Sequence, residues 1–270
     1  MSDLEQFPLL TSSQNPKIKQ AIRLRERRER NKTDLFLIEG LRELQRCCAS
    51  DRRLETLFIC PELFQENQEE QILLQRKDVQ IYRCDEQLFR KISYRERPDG
   101  LLAIAPQMHL ELSDLDETSF LVVAESIEKP GNLGTILRSS DAAGVDGVII
   151  CDRCTDLHNP NVVRASMGTL FTQPVVEAGG KETLDWLKKN GVQILAATPH
   201  AEKVYTEVDL TQPVAIAVGT EDVGLSEMWM QESDLQVRIP MLGIADSLNV
   251  ATATTLLLYE LLRQRNISGI

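Results

Sequence analysis

IPMLGIADSLNVATATTLLLYELL, residues 239–262, decides how the chain is read. It begins at the end of a strand, Val237, Arg238 and Ile239, and Pro240 stops the ladder because proline has no N–H to donate. A loop containing Gly243 follows, and Asp246 and Ser247 are residue types that cap a helix N-terminus. From Leu248 the sequence is apolar nearly all round: Val250, Ala251, Ala253, Leu256, Leu257, Leu258, Leu261 and Leu262. A helix without a polar face is a buried one. That pattern alone admits an ordinary core helix. The loop argues for more: Ser247 and Asn249 put polar groups at the mouth of a buried helix, where they need partners or a ligand.

Outward from this helix, apolar runs of strand length occur at Phe120 to Ala124, Val148 to Cys151, Val192 to Ala196 and Val214 to Val218. Helical stretches separate them, at Asn132 to Ala143 and around Asn161 to Gly168. Continuous apolar strands alternating with helices predict a parallel sheet covered on both faces. In the N-terminal third, TSSQNP at 11–16 reads as a turn and a helix start. Lys17 to Arg30 reads as one basic helix with Ile18, Ala21, Ile22 and Leu24 inward. Strands are expected at Leu35 to Ile38, Leu57 to Cys60, Val79 to Tyr82 and Leu101 to Ala105. Helices are expected at Gly40 to Ala49 and Asp85 to Ile92, with a Gln/Glu-rich one between the second and third strands. This is a second α/β pattern. The polar, acidic run Pro106 to Thr118 reads as a linker, which divides the chain into 1–105, 106–118 and 119–270.

The 270 residues suffice for one large or two ordinary domains. The net charge of −11 is awkward for a nucleic-acid binder, because phosphate contacts dominate such affinity. Its distribution answers part of this: residues 16–53 carry net +6 and the remainder −17. Arg23, Arg25, Arg27, Arg28 and Arg30 therefore read as a binding footprint. No apolar run reaches membrane-spanning length, and MSDLEQFPLL is no signal peptide. Six scattered cysteines point to a reducing cytoplasm. Cys151-x-x-Cys154 with His158 lacks a fourth ligand, so reduced thiols and no metal are expected.

IPM-x-G-x-x-x-SLNV resembles the third motif of the SpoU (TrmH-type) RNA 2'-O-ribose methyltransferases, members of the knotted SPOUT class. Asn132-Leu-Gly134-Thr-Ile-Leu-Arg138 is similar to the family's N-x-G-x-x-x-R. GTEDVGLS at 219–226 is similar to its G-x-E-x-x-G-L-S. Ala251 stands where the family usually has Ser, and Thr220 where Asn or Ser is frequent. Asn15-Pro16, Phe36, Glu39-Gly40 and Arg97-Pro98-Asp99-Gly100 resemble parts of the family's RNA-binding N-terminal domain. The resemblance implies a small N-terminal α/β RNA-binding domain. It also implies a C-terminal parallel-sheet SPOUT domain with a deep trefoil knot, an exception to the rule that chains do not thread loops.

It further implies transfer of a methyl group from S-adenosyl-L-methionine to a ribose 2'-hydroxyl. That hydroxyl is a weak acid, so the reaction needs in-line positioning and stabilisation of a developing alkoxide. By resemblance the cofactor is held by Thr198, Gly219, Thr220, Glu221, Gly224, Ile239, Met241, Leu248 and Asn249, with Gly219 letting the backbone approach it. Arg138 carries the central role. A guanidinium titrates above about 12, so a charge-stabilising cation is the better assignment than a base. Asn132 is an orienting group at the helix mouth, and Glu221 a partner of Arg138 or a loop brace. Ser247 and Asn249 orient loop and substrate, while Arg164 and Ser166 lie near the RNA path. Implied partners are RNA, rRNA ahead of tRNA because of the separate N-terminal domain, and a second copy in a homodimer. No membrane is expected. The alternatives are a tRNA ribose methyltransferase and a non-catalytic RNA-binding protein with an inactive domain. A Rossmann-type enzyme lacks its G-x-G-x-x-G after an early strand.

Overall fold

Residues 3–63, 78–115 and 119–265 are described by the computed structural model of the chain. They form two units, residues 1–108 with 156–172 and residues 109–155 with 173–270. The first unit begins with β1 (Leu9–Leu10), α1 (Pro16–Arg23), α2 (Arg27–Thr33), β2 (Leu35–Glu39) and α3 (Leu41–Ala49). It continues with β3 (Thr56–Ile59), β4 (Gln80–Cys84), α4 (Glu86–Ile92) and β5 (Leu101–Pro106). The sheet order is β1-β4-β3-β5-β2, with β5 antiparallel to both neighbours. Ile18, Ala21, Leu24, Leu37, Phe58, Leu88, Phe89 and Ile104 fill its core. Asn15 caps α1, accepting from Lys17 N, with Pro16 at the first helical position. Most of the span of the expected Gln/Glu-rich helix, 64–77, lies outside the described residues.

The basic stretch is two helices rather than one. The Leu24 and Arg25 carbonyls accept from the Arg30 guanidinium at 2.8 and 2.6 Å, and Glu26 takes an extended conformation. The helix breaks at the extended Glu26, and the Arg30 guanidinium takes up carbonyls left without a helical partner at the end of α1.

The second unit contains β6 (Phe120–Glu125), α5 (Pro130–Ala142) and β7 (Gly147–Cys151). The chain then passes through α6 (Pro160–Ala165) in the first unit and returns at β8 (Val175–Ala178), α7 (Gly180–Lys189) and β9 (Gln193–Ala197). It ends with β10 (Lys203–Val204), β11 (Val214–Val218), α8 (Glu227–Glu232), β12 (Leu235–Arg238) and α9 (Val250–Gln264). The strand order is β10-β12-β9-β11-β6-β7-β8, all parallel. Every residue of β6, β7 and β11 is buried, as continuous apolar strands require. This order sets the C-terminal ends of β12, β9, β11 and β6 side by side. The loops at 239–249, 198–202, 219–226 and 126–129 therefore open on one sheet edge, where parallel α/β sheets carry their ligands.

α9 differs from its expectation in two ways. Its N-cap is Asn249, whose Oδ1 accepts from Ala251 N at 3.0 Å; Asp246 and Ser247 are exposed in the preceding loop. Its surface is not buried all round. Val250, Ala251, Thr254, Leu257, Leu258 and Leu261 are buried, whereas Leu256 and Tyr259 are 38% and 45% exposed. α9 packs on α5, with Ser139 Oγ and Thr255 Oγ1 2.7 Å apart.

Residues 156–172 fold with the first unit although their neighbours on both sides belong to the second. Asp156 binds the Arg30 guanidinium at 2.6 and 2.8 Å. His158 packs edge-on against Phe36, with ring centroids 4.8 Å apart, and its Nε2 accepts from Met108 N at 3.0 Å. Arg46 donates to the Met167 carbonyl at 2.9 Å.

Candidate active site

β11 ends at Val218, and Gly219 opens a tight turn. Thr220 and Gly224 exchange backbone hydrogen bonds of 3.0 and 3.1 Å, and Gly224 adopts φ +74°. A Cβ at position 219 would lie 2.1 Å from the Gly224 carbonyl oxygen. The glycine therefore lets the turn close on itself, since the side of residue 219 that a side chain would occupy is filled by the Gly224 backbone. Glu125 fixes the exit of the turn: this buried carboxylate at the end of β6 accepts from Ser226 N at 2.7 Å.

The closed turn presents Glu221. One carboxylate oxygen accepts from the Asn132 carboxamide, in the first turn of α5, and from Asn249 Nδ2 at 3.0 Å. The other accepts from Lys129 Nζ. Asn249 Nδ2 also reaches Asn132 Oδ1 at 3.1 Å. All three motifs thus meet on a single carboxylate. The Lys129 ammonium holds Glu221 below the usual carboxylate range, and Glu221 raises Lys129 in return. Glu221 is consequently an acceptor only, able to hold two amides and an ammonium at once. Ile127, Glu128, Thr220, Asp222 and Val250 complete the lining of the cleft beside this cluster.

Arg138 is not part of it. Six residues of α-helix carry it about 9 Å along the axis and about 120° round from Asn132. It is exposed on α5 and bonds to none of the described side chains, so its expected pairing with Glu221 does not form. Ser247 is exposed in the loop before α9. Thr198 follows β9 and donates its N–H to the Val237 carbonyl at 2.9 Å. Ile239, Met241 and Leu248 are half-buried along the 239–249 loop. With Thr198, Gly219 and Thr220 they offer apolar side chains and strand-end backbone groups on one edge. That donor set fits an adenine ring and its polar rim, and S-adenosyl-L-methionine would be held there.

Two of the expected RNA contacts are internal. Arg30 is 1% exposed and bound to Asp156, and Ser166 is fully buried with its hydroxyl on the Val163 carbonyl. Arg25 is likewise occupied: it donates to the Lys91 and Ser93 carbonyls at 2.6 Å and lies over the Tyr94 ring. Arg23, Arg27, Arg28 and Arg164 stand exposed. Cys151 is buried in β7, where desolvation pushes its thiol up to about 12, and Cys154 is exposed in the turn beyond.

Residues 119–259 match the SpoU rRNA Methylase family, and residues 15–103 match the MRM3-like substrate binding domain. The chain belongs to the SpoU rRNA methylase family. Among its SpoU relatives is the 23S rRNA (guanosine(2553)-2'-O)-methyltransferase RlmP of Bacillus subtilis. It is 29% identical over 252 residues, covering 93% of this chain and 98% of RlmP. A solved RNA 2'-O ribose methyltransferase is 41% identical, with a TM-score of 0.81 over 95% of this chain and 99% of that one. The AdoMet-bound rRNA methyltransferase of Sinorhizobium meliloti is 31% identical, with a TM-score of 0.85 over 96% and 98%.

Two residues of this SpoU site escaped the reading of the sequence. Lys129 stands three residues before Asn132, outside the N-x-G-x-x-x-R motif, and carries no signal of its own. Glu125 carried a usable signal, since an acid closing an otherwise apolar strand has to find a partner.

Proposed function

We propose that this SpoU chain transfers the methyl group of S-adenosyl-L-methionine to a ribose 2'-hydroxyl of large-subunit ribosomal RNA. The observation that carries the reading is the junction of Asn132, Asn249 and Lys129 on Glu221, which draws all three motifs to one sheet edge. Bound there, the cofactor supplies an electrophilic methyl group, so the protein needs no nucleophile of its own. Asn132 and Asn249, held by the carboxylate, orient the substrate beside it. Ser247 and Glu221 fix the loops that frame the site. Arg138 binds the phosphate next to the target and stabilises charge developing on the 2'-oxygen.

The first unit, with exposed Arg23, Arg27, Arg28 and Arg164, holds the RNA, and its match to a substrate-binding domain supports that role. The deep trefoil knot belongs to this reading, as does a homodimer. Two observations support the dimer. Leu256 and Tyr259 leave an apolar strip open on α9, and Leu242 and Ile244 stand in solvent within the 239–249 loop. No described helix is long and apolar enough to cross a membrane, and a role on ribosomal RNA supports a cytoplasmic location.

Mapping of ribose methylation in total RNA from cells with and without the gene tests the reaction. Loss of one 2'-O-methyl group from large-subunit rRNA is expected. Loss confined to a tRNA would move the substrate, and an unchanged map with intact AdoMet binding would favour an inactive RNA-binding protein.

A further inference from the structure

The carboxylate at the centre of the cluster faces the place where a polyanion must arrive. An uncompensated Glu221 would repel RNA phosphates and oppose negative charge building on the 2'-oxygen. Among the described residues, the cation that compensates it is Lys129 and not Arg138. The pair is asymmetric. Glu221 is tied to two carboxamides besides the ammonium, whereas the Lys129 ammonium has Glu221 as its one hydrogen-bond partner among the described residues. The Lys129 side chain is 68% exposed. An exposed ion pair contributes little to stability and is given up at little cost. A lysine ammonium is a compact charge on a flexible stem, free to turn its three donors to a new acceptor. A cation in this state is suited to exchanging partners.

We propose that Lys129 is an RNA-phosphate-binding residue of the site, which trades Glu221 for a backbone phosphate of the substrate as the RNA docks. The inference rests on the rRNA methyltransferase reading. RNA is favoured over the carboxylate of the methyl donor by position. Lys129 follows β6, on the far side of β11 from β9 and β12, whose loops carry Thr198, Ile239 and Leu248. After the exchange Glu221 retains its two carboxamides, so Asn132 and Asn249 stay oriented while the anion is held.

The test is equilibrium binding by the full-length protein. The probes are a fluorescent 23S rRNA transcript fragment across a salt series and, separately, AdoMet. Lys129→Gln is expected to weaken RNA binding about 5–10-fold and to lower the slope of log affinity against log salt by about one. Lys129→Arg should restore both, and AdoMet affinity should not change. The loss should persist in a Glu221→Gln background, because the lysine then still has the phosphate to bind. If Lys129 serves only to brace Glu221, Lys129→Gln will leave the salt slope unchanged and will add nothing to Glu221→Gln, which overturns the proposal. A fall in AdoMet affinity with RNA binding intact overturns it as well. Lys129 is exposed, so the variants should melt with the wild type. A wild type that binds the transcript but methylates no rRNA defeats the functional reading, while the salt slope still judges Lys129. A wild type that binds no RNA defeats both.

Discussion

The Arg30 and Asp156 side chains are 1% and 3% exposed, and those of Lys129 and Glu221 are 68% and 26% exposed. Both are cation–carboxylate pairs that join residues distant in sequence, yet burial gives them opposite uses. Arg30 spends its donors on Asp156 and on the carbonyls of Leu24 and Arg25, away from water. Taking either partner away would strand a charge in a dry place. The pair is therefore a fastener, holding residues 156–172 in the first unit. Lys129 and Glu221 meet in water, where losing the bond costs little and the groups remain available to a ligand. An arginine and a lysine that each pair with a distant carboxylate thus do different work, and desolvation is what separates them.

The largest effect should come from the buried pair. Asp156→Ala or Arg30→Met is expected to cost about 3–5 kcal/mol of stability in urea unfolding, with AdoMet affinity of the folded protein unchanged. A cost under about 1 kcal/mol would place this pair in the class of exposed ones and erase the contrast.

Exposed cations of the second unit should behave in the reverse way. Arg138→Ala is expected to lower kcat about 10²–10³-fold, about 2.7–4 kcal/mol of barrier, with the melting temperature and AdoMet binding close to wild type. Arg138→Lys sharpens this. If a diffuse positive charge suffices, lysine recovers most of the rate; if the planar fork is needed, it stays near alanine. Wild-type turnover by the alanine variant would remove Arg138 from the mechanism.

Asn249 belongs to both classes at once, since its oxygen caps α9 and its amide holds Glu221. Asn249→Ala should lose the cap, about 1 kcal/mol, together with turnover. Asn249→Ser keeps a capping oxygen and loses the amide, so it should retain stability and still lose turnover. Equal stability losses in the two variants would show that the cap is not what Asn249 contributes.

The smallest effect concerns Glu39, buried in the first unit with bonds from Ser93 Oγ and Tyr94 N. Burial raises its carboxyl above the ordinary value, against the lowering by those bonds. An acid raised in the folded state binds its proton more tightly folded than unfolded. Its contribution to stability is therefore present at low pH and is lost as pH rises from the ordinary glutamate range through the raised value. Melting curves across that window should show wild type losing stability relative to Glu39→Gln. The opposite slope would mean that the bonds outweigh burial, and Glu39 would then resemble Glu221.

Much of the second unit was legible because a parallel strand buried on both faces must be apolar throughout. Phe120 to Ala124, Val148 to Cys151 and Val214 to Val218 could be read as strands for that reason alone. Short elements left no such mark: β10 has two residues and β8 has four. Asn249 was legible as a polar residue at the mouth of a buried helix, while Asn132 and Glu221 were picked out by the resemblance of their motifs to the family. Their meeting was not legible. Asn132 lies 89 residues from Glu221 and 117 from Asn249, and it is the placing of β11 beside β6 that brings them together. The sequence by itself determined which residues are apolar, basic or able to cap, because those are properties of side chains and local spacing. Only the tertiary structure decided that Arg30 and Ser166 are inside, that Arg138 stands apart from Glu221, and that Lys129 stands with it. Those facts depend on strand order and on desolvation, which are set by contacts between residues far apart along the chain.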